Sequence, residues 1–260
     1  MTDPRPPYTA FRRRLRAREH LIGTFVKTPT THAIEILGGL GFDFVIIDQE
    51  HAPITLAAVD AMVLAARASN VAAIVRISDP GDHAILQVLD CGAAGIMVPH
   101  VDSEAKARTI AGACRYRGGR RGFANTTRAG GYGEVGFGAH IAAQDDGITC
   151  IAMIEDLAAV AVVDSIAAVP GIDAFFVGRG DLTAALGAPS MTSPETHRVV
   201  EPIMAAARRA GMPLAMLCPD RADAEAMHKL GATAFLVSND HGFMRQAARR
   251  ALAEFAGPIG

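Results

Sequence analysis

The sequence alternates strand-like and helix-like segments along almost its whole length, and this alternation limits the folds available to the chain. Short apolar runs with the composition of buried strands lie at Leu21–Val26, Phe42–Ile47, Ala72–Arg76, Gly95–Val98, Thr149–Ile154, Ala174–Val177, Leu214–Leu217 and Ala234–Val237. Ala-rich helical segments follow at Thr31–Leu40, Leu56–Ala68, Asp82–Asp90, Ser103–Cys114, Leu157–Ala168, Pro194–Ala210, Arg221–Leu230 and Asp240–Phe255. Eight strand–helix units predict an α/β fold, a (β/α)8 TIM barrel. A doubly wound open sheet is the alternative because it shows the same alternation.

Length, composition and charge narrow the class of protein further. The chain has 260 residues, of which 50% are hydrophobic, so we expect one barrel domain over residues 1–260. The net charge of -2 gives no reason to expect a nucleic acid or a membrane surface as partner. The arginines at 12, 13, 14, 16 and 18 are interpreted as the solvated face of an N-terminal helix.

The remaining composition favours a cytoplasmic protein that acts on small molecules. No segment is apolar for long enough to span a membrane, and the four cysteines form no CxxC pair. One long segment, from Tyr116 to Asp146, interrupts the alternation and is rich in Gly and Arg. Long loops in compact domains are typically functional or disordered.

Acidic side chains follow three of the predicted strands. Asp48-Gln49-Glu50-His51 comes after the second strand, Glu155 after the fifth and Asp181 after the sixth. The carboxyl ends of barrel strands form the mouth where active sites lie. Glu155 and Asp181 would be neighbours there, and a pair of carboxylates suits a hard divalent ion such as Mg²⁺ or Mn²⁺. The competing interpretation of each acid is a helix N-cap.

Basic side chains at the same mouth complete a candidate site. His51 follows Asp48 by three residues, and a carboxylate can fix the tautomer of an imidazole that acts as a general base. Arg76 ends the third strand, where it either pairs with a buried carboxylate or receives an anionic group of the substrate. His100, after the fourth strand, is a further candidate for substrate contact.

The motifs together resemble one protein family. The segment Ile47 to Pro53 matches the I-D-x-E-H-x-P signature of the HpcH/HpaI aldolases, metal-dependent class II pyruvate aldolases of the phosphoenolpyruvate/pyruvate barrel superfamily. Further matches run in order along the chain: Gly23-Thr24-Phe25, Val75-Arg76, Gly95 to Pro99, Arg121-Gly122, Arg128-Ala129, Ile154-Glu155, Gly178 to Leu182 and Ser238-Asn239-Asp240. This ordered set covers nearly the whole chain.

The resemblance implies an activity and a set of ligands. The chain would cleave a 4-hydroxy-2-oxo acid reversibly to pyruvate and an aldehyde. Glu155 and Asp181 would hold Mg²⁺, Mn²⁺ or Co²⁺ as the cofactor. Arg76, Gly180 and Asp181 would bind the substrate, with Arg76 on its carboxylate.

The resemblance also implies the proton-transfer group and the assembly. His51, oriented by Asp48, would act as the base, with Glu50 in a supporting position. The family forms trimers or hexamers, so we expect a homo-oligomer in which the last helix, Asp240 to Phe255, is exchanged between subunits.

The chain departs from the family's pattern in three places, of which Met153 bears most directly on the metal, and three other functions stay open. Met153 stands where the family usually has Gln, which would alter metal hydration. A Schiff-base aldolase would need a lysine at the mouth, and Lys27 is the candidate. A citrate-lyase-β-like acyl-CoA lyase would keep the metal carboxylates without needing Asp48 and His51. A non-enzymatic binding module is disfavoured by the aligned acid, base and cation.

Overall fold

A closed barrel of eight parallel strands forms the centre of the molecule in the computed structural model, which describes residues 6–257. The strands are β1 Leu21–Val26, β2 Phe44–Asp48, β3 Ala72–Arg76, β4 Gly95–Val98, β5 Thr149–Ile154, β6 Ala174–Val177, β7 Leu214–Leu217 and β8 Ala234–Asn239. Strand order follows chain order, and β1 pairs with β8 from Leu21 opposite Ala234. This pairing closes the sheet, so the barrel prediction is confirmed and the open sheet is excluded.

Helices surround the barrel and follow the predicted segments with three differences. They are α1 Phe11–Arg16, α2 Thr31–Leu40, α3 Leu56–Ala68, α4 Asp82–Asp90, α5 Glu104–Ala113, α6 Phe137–Gly147, α7 Leu157–Ala161, α8 Val163–Ala167, α9 Arg179–Leu186, α10 Pro194–Ala210, α11 Arg221–Lys229 and α12 Asp240–Glu254. The predicted helix over 157–168 is broken at Val162. The helices α6 and α9 were not predicted, and α6 shortens the expected long loop.

The strands bury alternate side chains in two separate cores. On β2, Phe44 and Ile46 face the barrel interior, while Val45 and Ile47 pack against the surrounding helices. Phe11 of α1 joins the interior core and closes its amino end, with its ring 5.1 Å from that of Phe44. Side chains alternate between the two faces of a strand, so every second residue of a strand faces the barrel interior and forms its inward row. The residue that comes next in this row at the carboxyl end of the strand faces the mouth of the barrel.

The arginines of α1 are not simply a solvated face. The guanidinium of Arg12 bonds the carboxylate of Asp173 at 2.9 Å, and Asp173 has no exposed side-chain surface. Arg115 bonds the same carboxylate at 3.0 Å, as does the main-chain N–H of Cys150. Arg14 reaches Asp43 at 2.7 Å. Arg12 and Arg14 therefore secure the N-terminal segment to the barrel, which corrects the expectation that the arginines of this run form a solvated face.

The Gly- and Arg-rich segment after α5 lies at the amino end of the barrel, since it leads from a helix to the start of β5. Arg121 is buried and bonds Asp90 at 3.0 Å, and Arg128 bonds Asp60 at 2.7 Å. These ion pairs attach the segment to α4 and α3. Within residues 6–257, no helix has the length and apolar character needed to cross a membrane.

Candidate active site

Asp48 and Arg76 lie side by side at the barrel mouth. Both continue the inward rows of their strands, and they are register partners across β2 and β3. Arg76 donates from Nε to one carboxylate oxygen of Asp48 at 2.9 Å and from Nη2 to the other at 2.7 Å. Burial acts to raise the pKa of Asp48, but the hydrogen bonds and charge of Arg76 lower it overall. Asp48 therefore stays ionised and holds the guanidinium in one orientation.

The same carboxylate shapes the loop that carries His51. Oδ1 of Asp48 accepts the main-chain N–H of Glu50 at 3.2 Å and that of His51 at 3.1 Å. The carboxylate nearest to the His51 ring is that of Glu50, 3.8 Å from Nε2. Asp48 thus positions His51 through the main chain, which differs from the expected contact with the imidazole.

Glu50 joins this group through Arg76. Its Oε2 lies 3.1 Å from Nη1 of Arg76, and the guanidinium sits 4.9 Å from the ring centre of Phe25. Asp48 uses the N–H of Nε and one N–H of Nη2, and Glu50 pairs with Nη1 by charge without hydrogen-bond geometry, so N–H donors remain on both Nη atoms. Arg76 therefore does pair with a buried carboxylate, and it keeps donors for a substrate anion as well.

Glu155 enters the mouth from β5. It continues the inward row after Met153, and its side chain is buried. Its Oε1 accepts the main-chain N–H of His100 at 2.8 Å. Burial, together with the negative charge of Asp181, raises the pKa of Glu155 to about 7 against the effect of that hydrogen bond.

The N-cap interpretation of the two acids is wrong. The N-cap of α7 is Asp156, and that of α9 is Gly178, so neither Glu155 nor Asp181 occupies the capping position. Gly178 is required by the site, because a Cβ there would lie 2.6 Å from Oε2 of Glu155. Gly180 and Asp181 are exposed on the rim beside it.

The donor set fits a hard divalent ion with few protein ligands. Within the described ranges, no group of three or more His, Cys, Asp and Glu side chains converges as a metal site. Glu155 and Asp181 would supply two carboxylates, and water or substrate oxygens would complete the coordination. A cation between them would offset the like-charge repulsion that raises the pKa of Glu155. Met153 is inward and buried, and its thioether is a poor ligand for such an ion.

His100 lies between Glu50 on one side of the mouth and Glu155 and Asp156 on the other. Its Nε2 lies 3.8 Å from Glu50, and its Nδ1 lies 3.2 Å from Asp156. Burial acts to lower the pKa of His100, but the charges of Glu155 and its acidic neighbours raise it overall. His100 has a positive φ of 54°, which turns the chain so that its N–H meets Glu155.

A small cavity of about 220 Å³ lies at the mouth and is bordered by Arg76, His51 and Asp181 among these groups. Phe25, Met153, Phe176 and Leu217 supply its apolar lining. Polar side chains surround them, namely Lys27, His51, Arg76, Asp181, Ser238 and Asn239. Sequence reasoning assigned no substrate contact to Ser238 or Asn239. Ser238 continues the inward row of Ala234 and Leu236 at the carboxyl end of β8, and this position was the available signal.

Arg179 does not act as a substrate ligand in this arrangement. Its guanidinium is buried and paired with the carboxylate of Asp223 on α11, and it also donates to the carbonyl of Leu217 at 2.6 Å. This pair links the β6 end of the mouth to α11 on the outside of the barrel.

Comparison with known proteins identifies the family. The model of the HpcH/HpaI aldolase/citrate lyase family matches residues 21–247, which include the complete barrel and every group described at the mouth. The chain belongs to the HpcH/HpaI aldolase/citrate lyase family. The predicted resemblance is thus confirmed, as is the prediction of a lyase of the aldolase type.

Individual members of the HpcH/HpaI family align with this chain over nearly their full length. The chain is 32% identical to a pyruvate aldolase of Rhizobium etli over 96% of this chain and 98% of that protein. It is 32% identical to a 5-keto-4-deoxy-D-glucarate aldolase of Escherichia coli, covering 92% of this chain and 94% of that protein. A crystal structure of a family member from Burkholderia cenocepacia J2315 superposes with a TM-score of 0.90 at 28% identity, over 96% of this chain and 100% of that one.

Proposed function

We propose that this HpcH/HpaI family member is a divalent-metal-dependent aldolase that reversibly cleaves a 4-hydroxy-2-oxo acid to pyruvate and an aldehyde. The observation that carries the proposal is the meeting, at one barrel mouth, of the carboxylates of Glu155 and Asp181 with a fixed guanidinium and a solvent-accessible imidazole. The relatives named pyruvate aldolase and 5-keto-4-deoxy-D-glucarate aldolase support the same reaction class.

Glu155 and Asp181 would hold the metal, which we propose to be Mg²⁺, Mn²⁺ or Co²⁺. A bound divalent ion polarises the 2-oxo group of the substrate and stabilises negative charge on its oxygen. Arg76, held by Asp48 and Glu50, presents its remaining Nη donors to the substrate carboxylate. Gly180 lies on the rim beside Asp181 and leaves open space for the substrate, since a Cβ there would meet no atom within 4 Å.

His51 is placed to move the proton. Its side chain is 54% exposed at the rim, so it can reach a substrate that fills the cavity. In the cleavage direction it takes the proton from the C4 hydroxyl oxygen, and the C3–C4 bond then breaks. Glu50 stands 3.8 Å from Nε2 of His51 and would stabilise the imidazolium that forms.

We also propose a homo-trimer or homo-hexamer that exchanges α12 between subunits. None of the residues of α12 is buried, and Met244 and Leu252 are 65% and 75% exposed. A groove of about 360 Å³ beside α11 is lined by the outward side chains of Ile22, Phe235 and Val237, and a helix from a second copy would cover it. A monomeric mass by light scattering at micromolar concentration would contradict this assembly.

Two assays on the purified protein test the proposed reaction. Exchange of the methyl protons of pyruvate in D₂O, followed by NMR, reports formation of the enolate without any aldehyde. Aldol addition to a panel of aldehydes reports the complete reaction. We expect both to require a divalent metal and to stop with EDTA. A protein that shows neither activity with any of the three metals would refute the proposal.

A further inference from the structure

A second cavity lies at the amino end of the barrel, away from the mouth. Its volume of about 500 Å³ is within the range of small-molecule binding sites. The N-terminal segment, the carboxyl end of α3, the turn before β4 and the end of α6 form its walls. Ala94 and Ile148 line it just before β4 and β5 begin, so a ligand held here would be separated from the mouth by the length of these strands.

Two arginines line this cavity without a carboxylate partner. Arg13 forms no hydrogen bond or ion pair within residues 6–257, although Arg12 and Arg14 on the same helix are both paired with carboxylates. Arg67 donates one hydrogen bond, from Nη1 to the main-chain carbonyl of Arg128 at 3.4 Å. A guanidinium carries five N–H donors, so most of the donors of both arginines are available to a ligand.

A glycine makes room for Arg67 at the cavity wall. Gly92 has a φ of 90°, and a Cβ there would lie 3.1 Å from Nη1 of Arg67 and 3.4 Å from Cδ of Arg128. The carboxylate of Asp60 is already bound to the guanidinium of Arg128 at 2.7 Å. The acid nearest to this part of the wall is therefore engaged by another cation, and the charge of Arg67 is left for a ligand.

The other polar groups of the lining supply one more donor and one acceptor. Neither the hydroxyl of Tyr8 nor the carboxylate of Asp146 has a hydrogen-bond or ion-pair partner in the described part of the chain. The main-chain carbonyl of Asp146 accepts a hydrogen bond from Arg12 at 3.0 Å, which holds this residue in place. Two arginines and one aspartate are the charged residues of the lining, so the cavity carries a net positive charge.

We propose that this cavity binds a small organic phosphate, namely a phosphate monoester whose organic part carries hydroxyl groups. The phosphate of a monoester has a charge of about −1.5 to −2 and three acceptor oxygens, which match two guanidinium groups and a phenol hydroxyl. A carboxylate monoanion would neutralise only one of the two arginines. Asp146 would accept a hydrogen bond from a hydroxyl of the organic part, and the alanines of the wall would contact its carbon atoms. The site is separate from the proposed reaction and does not depend on it.

Calorimetric titration of the metal-loaded protein with glycerol 3-phosphate tests this site. Glycerol and inorganic phosphate, titrated in the same way, represent the two halves of the probe. The variants Arg13→Met and Arg67→Met remove the guanidinium groups and keep an unbranched side chain. Arg198→Met is the matched control, because Arg198 is 73% exposed on α10 and does not line the cavity. Asp181→Asn, at the mouth, reports whether the probe binds there instead.

We expect the wild type to bind glycerol 3-phosphate, to bind inorganic phosphate about tenfold more weakly and to show no binding of glycerol. Arg13→Met and Arg67→Met should each weaken binding of the ester about ten- to hundredfold, whereas Arg198→Met and Asp181→Asn should not change it. Arg13 is exposed, so its variant carries the test if Arg67→Met does not fold.

Three results would overturn the inference. The first is a wild type that does not bind the ester, and the second is unchanged binding in both arginine variants. The third is loss of binding in Asp181→Asn, which would place the probe at the mouth. Inorganic phosphate that binds as tightly as the ester would overturn the assigned ligand class, because the organic part would then make no contact with the cavity.

Discussion

Replacing Asp48 with asparagine should damage both the stability and the activity of the protein. The carboxylate is fully buried and bonds Arg76 twice and two main-chain N–H groups of the following loop. Asparagine removes the charge and turns an amide group towards the guanidinium. Arg76 is then a buried cation that keeps only Glu50 as a carboxylate partner.

The expected cost follows from that geometry. Removing one partner of a buried ion pair typically destabilises a protein by about 3–5 kcal/mol. For a chain of this size that corresponds to a fall in Tm of roughly 6–20 °C. Misplacement of Arg76 and of the His51 loop should also lower kcat/KM for the aldol reaction by about a hundredfold.

Urea unfolding and aldol kinetics on Asp48→Asn measure the two effects. Asp164→Asn is the control, because Asp164 pairs with Arg209 at 2.7 Å on the surface, where such pairs contribute about 0–1 kcal/mol. A loss for Asp48→Asn as small as that of the control would refute the reasoning. A shifted pKa of the base in the pH–rate profile, with stability unchanged, would instead restore a direct role of Asp48 on the His51 ring.

Three further predictions concern single side chains. His51→Ala should lower the aldol rate by about two to four orders of magnitude, with metal affinity by calorimetry unchanged; loss of the metal would reject its assignment as the base. Asp181→Asn should abolish Mn²⁺ binding followed by EPR, and normal binding would exclude Asp181 as a ligand. Asp223→Asn should destabilise the protein by about 3–5 kcal/mol in urea, because it leaves the buried guanidinium of Arg179 unpaired. Burial acts to raise the pKa of Asp223, but Arg179 lowers it overall. The ion pair should therefore stabilise the protein fully above a pH of about 4, and this stabilisation should be lost as the pH falls through the lowered pKa of Asp223 in the folded protein. A free energy of unfolding that does not fall in acid would contradict this.

Much of the barrel could be predicted from hydrophobic runs, because each parallel strand is buried on both faces. The strand bounds differ from the prediction mainly at β2 and β8, which end later than the apolar run because Asp48 and Asn239 still belong to the ladder. The helix α6 was missed because His140 is its only buried residue, so its sequence has little amphipathic pattern.

The residues of the site were easier to predict from the sequence than the side chains with which they form hydrogen bonds and ion pairs. The position of Asp48 after an apolar run marks it as a mouth residue. Its bond to Arg76 depends on the register between β2 and β3, which the sequence does not contain. The same limit applies to Arg179, whose partner Asp223 lies 44 residues further along the chain. Lys27 is predicted only as a Schiff-base candidate, whereas its ion pair with Asp48, 3.4 Å from Nζ to Oδ2, depends on the pairing of β1 with β2.

The bond between Arg12 and Asp173 has a consequence for synthesis on the ribosome. The two residues are 161 positions apart, so at about 5–20 residues per second Asp173 is made roughly 8–32 s after Arg12. Until then the apolar side of α1, with Phe11 and Leu15, has no completed barrel end to cover. Helix α1 is therefore made well before it is secured, and nascent chains that have not yet reached Asp173 should expose it to chaperones.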